Sequence, residues 1–253
     1  MTPYHSIMPI SVKGLSVSYD RKRVLTNIFL EIPKSTVCGV VGPNGAGKST
    51  LFKAILGLIT TNSGTVKIHG QEIDDVRNRI AYVPQKDDVD WTFPATVEDV
   101  VLMGRYPHKK IFQRLDKTDH ALAIKAMEDL SILDLKNRQI GELSGGQQQR
   151  VFIARALAQQ ADIFLLDEPF VGVDMMTEEK IIDILTRLRE EEKTVLVVHH
   201  DLSTVESYFD HVVLLNQRLI AFGETESTYT RENISIAFGA QLDILHKSGI
   251  EKS

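Results

Sequence analysis

The chain has 253 residues, 43 % of them hydrophobic and 25 % charged, and carries a net charge of −5. That length holds one large α/β domain or a domain with a small subdomain, and the acidic balance argues against a nucleic-acid partner, which calls for a basic surface. The single cysteine, Cys38, excludes an internal disulfide, and no apolar run is long enough to span a bilayer. Residues 1–10 lack the basic-then-apolar order of a secretory leader, so the expected location is the cytosol.

The chain opens with strand-type alternation: Ile10 and Val12, then Ile28, Leu30 and Ile32, fall on one face at period two. Between them Tyr19 precedes a polar turn through Arg21-Lys22-Arg23. Tyr19 is either a strand-end aromatic or a platform for a purine base. Residues 36–41 form a short apolar strand that feeds Gly42-Pro43-Asn44-Gly45-Ala46-Gly47-Lys48-Ser49-Thr50. This is the spacing of a phosphate-binding P-loop. Glycines let successive backbone N–H groups turn toward one anion. Lys48 supplies a point charge for the β- and γ-phosphates, and the Ser49 hydroxyl suits Mg²⁺. Leu51, Ala54, Ile55 and Leu58 then predict a helix with one buried face, its positive end on the phosphates. The chain therefore binds a nucleoside triphosphate with Mg²⁺.

Residues 65–69 and 79–83 read as further strands, the second broken by Pro84-Gln85. A polar stretch over 86–94 carries the only tryptophan, Trp91, beside Phe93-Pro94, as a tucked-in loop or a protein-contacting patch. Thr96 and Asp99 make a helix cap. From there to about residue 140 the pattern is helical, with a stripe of Leu122, Ala123, Ala126, Met127 and Leu130, and a basic surface loop at 105–114. Leu143-Ser144-Gly145-Gly146-Gln147 opens another helix. Ser144 is there an N-cap or part of a second anion site, and both readings stand. Ile163-Phe164-Leu165-Leu166-Asp167-Glu168 has the Walker B form, four apolar residues before an acid. Asp167 then sits on the Mg²⁺ side and Glu168 is free to position or deprotonate water. Ile181, Ile184, Leu185 and Leu188 mark an amphipathic helix, and the strand at 194–198 runs into His199-His200-Asp201. Neighbouring strand residues point to opposite faces, so one histidine reaching the γ-phosphate is favoured over a zinc site. Residues 211–216 and 218–222 close the sheet as a hairpin.

These pieces, in this order, resemble the ATPase subunits of ABC transporters over roughly residues 10–224. Leu143 to Gln147 matches that superfamily's signature motif. The resemblance implies an α/β P-loop NTPase core over about 10–90 and 160–224, a mostly parallel sheet with flanking helices plus an N-terminal antiparallel β region. It also implies an inserted helical subdomain at about 91–159, and leaves 225–253 as a tail without an assigned role. Gln85 falls at the Q-loop glutamine, a ligand of Mg²⁺ with Ser49 and Asp167 and a contributor to catalysis. Tyr19 falls at the adenine-stacking aromatic, His200 at the switch histidine, and Asp174 at the D-loop aspartate, although Phe170-Val171-Gly172-Val173-Asp174 departs from the commoner Ala-Leu-Asp ending. Two copies are implied to pack head to tail, each ATP lying between one P-loop and the other copy's Ser144, Gly145, Gly146 and Gln147.

A narrower resemblance rests on Val89-Asp90-Trp91-Thr92-Phe93-Pro94 and Val97-Glu98-Asp99-Val100-Val101-Leu102-Met103-Gly104-Arg105. It is similar to the ATPases of manganese-, zinc- and iron-type metal importers, with manganese favoured. It implies integral membrane permease subunits as partners, an extracytoplasmic metal-binding protein indirectly, no nucleic acid, and a peripheral place on the cytoplasmic face of the membrane. Trp91 and Phe93 become candidates for the permease-docking surface. The competing readings are a non-transport ABC ATPase, an importer ATPase for another solute such as an iron chelate, and a P-loop kinase. The kinase leaves the signature motif without a purpose.

Overall fold

The computed structural model describes residues 7–239. In chain order its elements are β1 (Ile10–Tyr19), β2 (Lys22–Ile32), β3 (Thr36–Val41), α1 (Lys48–Ile55), β4 (Ser63–Ile68), α2 (Ile73–Val76), β5 (Ile80–Val83), α3 (Val97–Met103) and α4 (Lys117–Asp129). There follow α5 (Gly145–Ala158), β6 (Ile163–Asp167), α6 (Met175–Glu190), β7 (Thr194–His199), α7 (Val205–Tyr208), β8 (His211–Leu215), β9 (Leu219–Glu224), α8 (Thr225–Thr228) and α9 (Arg231–Phe238). They gather into two compact units, residues 7–75 with 196–239, and residues 76–195.

In the first unit β1 is the middle of a three-stranded antiparallel sheet, between β2 and β4. The β1–β2 turn is two residues long, and Asp20 and Arg21 both take positive φ, 46° and 67°. That is the twist a tight hairpin requires, obtained here without glycine. The alternation expected along β1 slips at Gly14 (φ 64°), where the register shifts between Val12 and Leu15. A bulge there inserts one extra residue, so Ile10, Val12, Leu15 and Val17 all face inward despite the odd spacing. β3 is buried along its whole length and pairs in parallel with β8, which pairs antiparallel with β9. Asp210 accepts the Val37 amide at 2.8 Å, and Thr36 Oγ1 lies 2.9 Å from His211 Nδ1, fixing the start of β3. Cys38 is fully buried, and burial pushes its thiol well above the usual range, with Asp210 adding to the effect. It is a core residue.

In the second unit β5 and β6 run parallel in register, Ile80 opposite Ile163 and Val83 opposite Leu166. α5 is buried nearly all round, Gln148 and Gln149 along with Val151, Phe152, Ile153, Ala154, Ala156 and Leu157, because it packs against α3, α4 and β5. α6 buries Thr177 and the stripe Ile181, Ile184, Leu185 and Leu188, each apolar residue of the stripe contributing about 1.5–3 kcal/mol relative to exposure. α3 and α4 each start with a reciprocal capping box, Thr96 with Asp99 and Asp116 with Asp119. The basic stretch after α3 is less superficial than its composition implies. Arg105 is only 9 % exposed; its Nε donates to Asp119 at 3.0 Å and its Nη1 to the Ala158 carbonyl at 2.7 Å. Of the tail beyond residue 224, α8 and α9 are described and 240–253 lie outside the described residues.

Candidate active site

The predicted site residues fall into two groups, one in each unit. In the first, β3 delivers the chain to the loop 42–47. A Cβ on Gly42 would overlap the Leu215 carbonyl, and one on Gly47 would stand 2.6 Å from Leu25 Cδ2. Both positions therefore exclude larger residues. Gly45 (φ 79°) and Gly47 (φ 98°) supply left-handed turns, and no atom lies within 4 Å of the place a Cβ on Gly45 would take. The loop is braced from behind. The Ala46 amide donates to Pro43, the Ala46 carbonyl accepts from the Gln217 amide, and Gln217 in turn accepts from the Thr26 amide. α1 begins on Gly47 with no side-chain cap and no acidic residue in its first turn, so its N-terminal amides are presented to an anion. Lys48 is 7 % exposed, and its Nζ donates to the Gly42 carbonyl at 2.8 Å and the Pro43 carbonyl at 3.2 Å. The ammonium is thus held over the loop. Asn44 is exposed, Pro43 and Ala46 are buried, and Ser49 and Thr50 are half-buried at the start of α1. This cradle fits a triphosphate: small, amide-lined and equipped with one cation. Tyr19, at the end of β1, is 44 % exposed.

The two histidines part at the end of β7 as strand alternation requires. His199 points inward, 3 % exposed, with Nε2 2.7 Å from Thr204 Oγ1 and its ring edge-on to Phe209 at 5.2 Å. Burial, helped by the charge of neighbouring His200, lowers its pKa to about 4. His200 is exposed. Asp201 is occupied with the Ser203 amide and hydroxyl, at 2.9 and 2.7 Å.

In the second group the parallel pairing of β5 with β6 brings two distant segments together. Gln85 follows one strand end and Glu168 the other, and Gln85 Nε2 donates to Glu168 Oε2 at 3.0 Å. This leaves Gln85 Oε1, the acceptor atom, for a cation. Asp167 is fully buried at the end of β6, where its charge, after burial itself, raises the pKa of the Tyr82 phenol. Glu168 is half-buried and holds φ 52°. A non-glycine residue in that conformation costs of order 1 kcal/mol and aims its side chain away from the strand direction.

Ser144 caps α5 and is exposed. Its Oγ accepts from the Gln147 amide at 3.4 Å, and Gln147 Oε1 accepts from the Ser144 amide at 2.9 Å. Gly145 and Gly146 follow in the first turn. Asp174 Oδ2 lies 3.6 Å from the place a Cβ on Gly146 would take. Asp174 is the N-cap of α6, accepting from the Thr177 amide at 2.8 Å and the Thr177 hydroxyl at 3.1 Å. Trp91 is a packed residue, its indole N–H donating to the Lys86 carbonyl at 3.0 Å and its ring edge-on to Phe152 at 5.2 Å. Phe93 is 56 % exposed. Trp91 therefore follows the tucked-in reading, whereas Phe93 is exposed. Lys86, which the sequence did not single out, lies against Gly145.

A phosphate cradle and a Walker B acid pair with a capped signature helix define a P-loop ATPase cassette, and the ABC transporter family matches over residues 25–171. The chain belongs to that family, as an ATP-binding and ATP-hydrolysing subunit. Among its relatives, the manganese transport system ATP-binding protein of Bacillus subtilis is 50 % identical over 239 residues, covering 94 % of this chain and 96 % of that one. The zinc transport system ATP-binding protein of Treponema pallidum is 49 % identical over 233 residues, covering 92 % and 88 %. A bacterial ABC transporter cassette solved as a dimer superposes with a TM-score of 0.76 at 28 % identity, covering 85 % of this chain and 98 % of that one.

Proposed function

We propose that this chain is the ATP-hydrolysing subunit of an importer of divalent metal ions, with manganese the favoured cargo. Half-identity to a manganese system's ATP-binding protein across almost the whole of both chains carries the reading. The similar zinc system's protein makes zinc the second candidate. Two copies pair, as the name of the dimeric relative supports, and they pack head to tail. ATP lies between the P-loop of one and Ser144, Gly145, Gly146 and Gln147 of the other, with Tyr19 against the base. Ser49, Asp167 and Gln85 would hold Mg²⁺, which offsets charge on the β- and γ-phosphates. Glu168 orients and deprotonates the attacking water, Gln85 holds the Glu168 carboxylate through its amide, and His200 reaches the γ-phosphate. Asp174 stands behind Gly146 and steadies the signature turn. ATP favours the closed pair and hydrolysis releases it, and this cycle drives permease subunits on the cytoplasmic face of the membrane. Exposed Phe93 belongs to the permease-facing surface.

The test is uptake of labelled manganese and zinc by cells lacking the chain, complemented with the parent or with Glu168→Gln. Manganese uptake restored by the parent alone is the expected result. Restored zinc uptake would reassign the cargo, and restoration by Glu168→Gln would remove the ATPase role of that residue. Copurification of the chain with nucleic acid rather than membranes would favour a non-transport ATPase.

A further inference from the structure

Lys86 directly follows Gln85, and its side chain reaches the first turn of α5. The ammonium stands 2.6 Å from the position a Cβ on Gly145 would occupy, with Cε at 3.8 Å. Only glycine leaves it that place. Its backbone is fixed by the Trp91 indole, which donates to the Lys86 carbonyl and packs on Phe152 of α5. The Trp91 carbonyl in turn lies 2.8 Å from the position of a Cβ on Gly141, just before the signature motif. Lys86 is thus tied to the signature helix by packed groups on both sides. Among the described residues no carboxylate pairs with its ammonium and no hydrogen bond is made to it, although the residue is half-buried. A cation gains nothing from the N-terminal end of a helix, which is already positive. Both potentials favour an anion in front of Ser144.

We propose that Lys86 is a phosphate-contacting residue acting in trans, reaching the γ-phosphate of ATP bound to the second copy's P-loop. The proposal rests on the two-copy reading above; the α5 N-terminus is half of that shared site, not a separate one. The ammonium is a compact point charge on a flexible stem, suited to a phosphate that arrives when the dimer closes. When hydrolysis has removed the γ-phosphate, the cation again faces the positive end of α5, which favours separation. Lys86 therefore sharpens the distinction between ATP and ADP through differential affinity for the closed state.

In the Glu168→Gln background, the ATP concentration giving half-maximal dimer is measured by analytical ultracentrifugation for Lys86, K86Q and K86R. Binding of a fluorescent N-methylanthraniloyl ATP to dilute monomer is measured alongside. K86Q is expected to raise the half-maximal ATP concentration about tenfold or more, K86R to restore most of it, and monomer affinity to stay at the parent value. The difference should shrink as salt is added. Dimerisation of K86Q at the parent's ATP concentration overturns the assignment. So does equal loss of monomer affinity, which marks action on its own P-loop, or equal impairment in K86R, which marks a packing role. If the Glu168→Gln parent stays monomeric at saturating Mg-ATP, the two-copy reading itself falls and takes the proposal with it.

Discussion

Single side chains carry the chemistry, and their neighbours decide which ones can. Lys48 is poised over its loop by two carbonyls, so nucleotide replaces existing contacts rather than ordering a loose chain. Lys48→Ala should weaken ATP binding about tenfold or more, read by equilibrium binding. Glu168→Gln should retain ATP binding and lower turnover by about 10²–10⁴, read by phosphate release. The two histidines separate by exposure, and burial shifts the titration of His199. His199 has a folded pKa of about 4, below the ordinary 6.5, so the unfolded chain takes up its proton first as pH falls. Its contribution is fully present above pH 6.5 and is lost between 6.5 and about 4. The loss at pH 5 is about 2 kcal/mol. Denaturant unfolding at pH 7.5 and 5 should show that loss in the parent and a smaller one in His199→Gln, which keeps a partner for Thr204.

At the scale of elements, what was legible in the sequence was what short-range physics controls. The P-loop glycines, the Thr96–Asp99 cap, the buried β3 and the acid pair ending β6 are all written in adjacent residues. Departures arose where one residue or a distant partner intervenes. The helix after the P-loop stops at Ile55, because Gly57 turns the chain with φ 64°, and Leu58 of the expected stripe is 57 % exposed. Gly14 breaks the alternation of β1 by a bulge that period counting cannot see. Arg105 looked superficial because its partner, Asp119, lies in the next helix. Burial works to raise the pKa of Asp119, but the Asp116 amide, Lys109 and Arg105 outweigh it and hold the carboxyl well below the usual range. Asp119→Ala would strand a buried guanidinium and should lower the thermal midpoint by about 5–10 °C, while ATP binding to the P-loop persists.

For the whole molecule, the proposed site residues are distributed over the two units. The P-loop, Tyr19 and His200 belong to one; the acid pair, Gln85 and the signature turn belong to the other. Among the described residues no helix is long and apolar enough to cross a membrane. What the sequence alone left open, whether Ser144 caps a helix or binds an anion, is answered for the cap, and the cap is compatible with the proposed anion contact. The capping box engages the Ser144 amide and accepts into Oγ from the Gln147 amide, which holds the hydroxyl at an exposed turn, where the proposed dimer would bring a second copy's nucleotide. Ser144→Arg should abolish ATP-dependent pairing while leaving nucleotide binding to the monomer intact. The most direct test of the account is light scattering on Glu168→Gln with and without ATP and Mg²⁺. A doubling of mass only with nucleotide is the predicted result, and a monomer under both conditions would contradict the shared site.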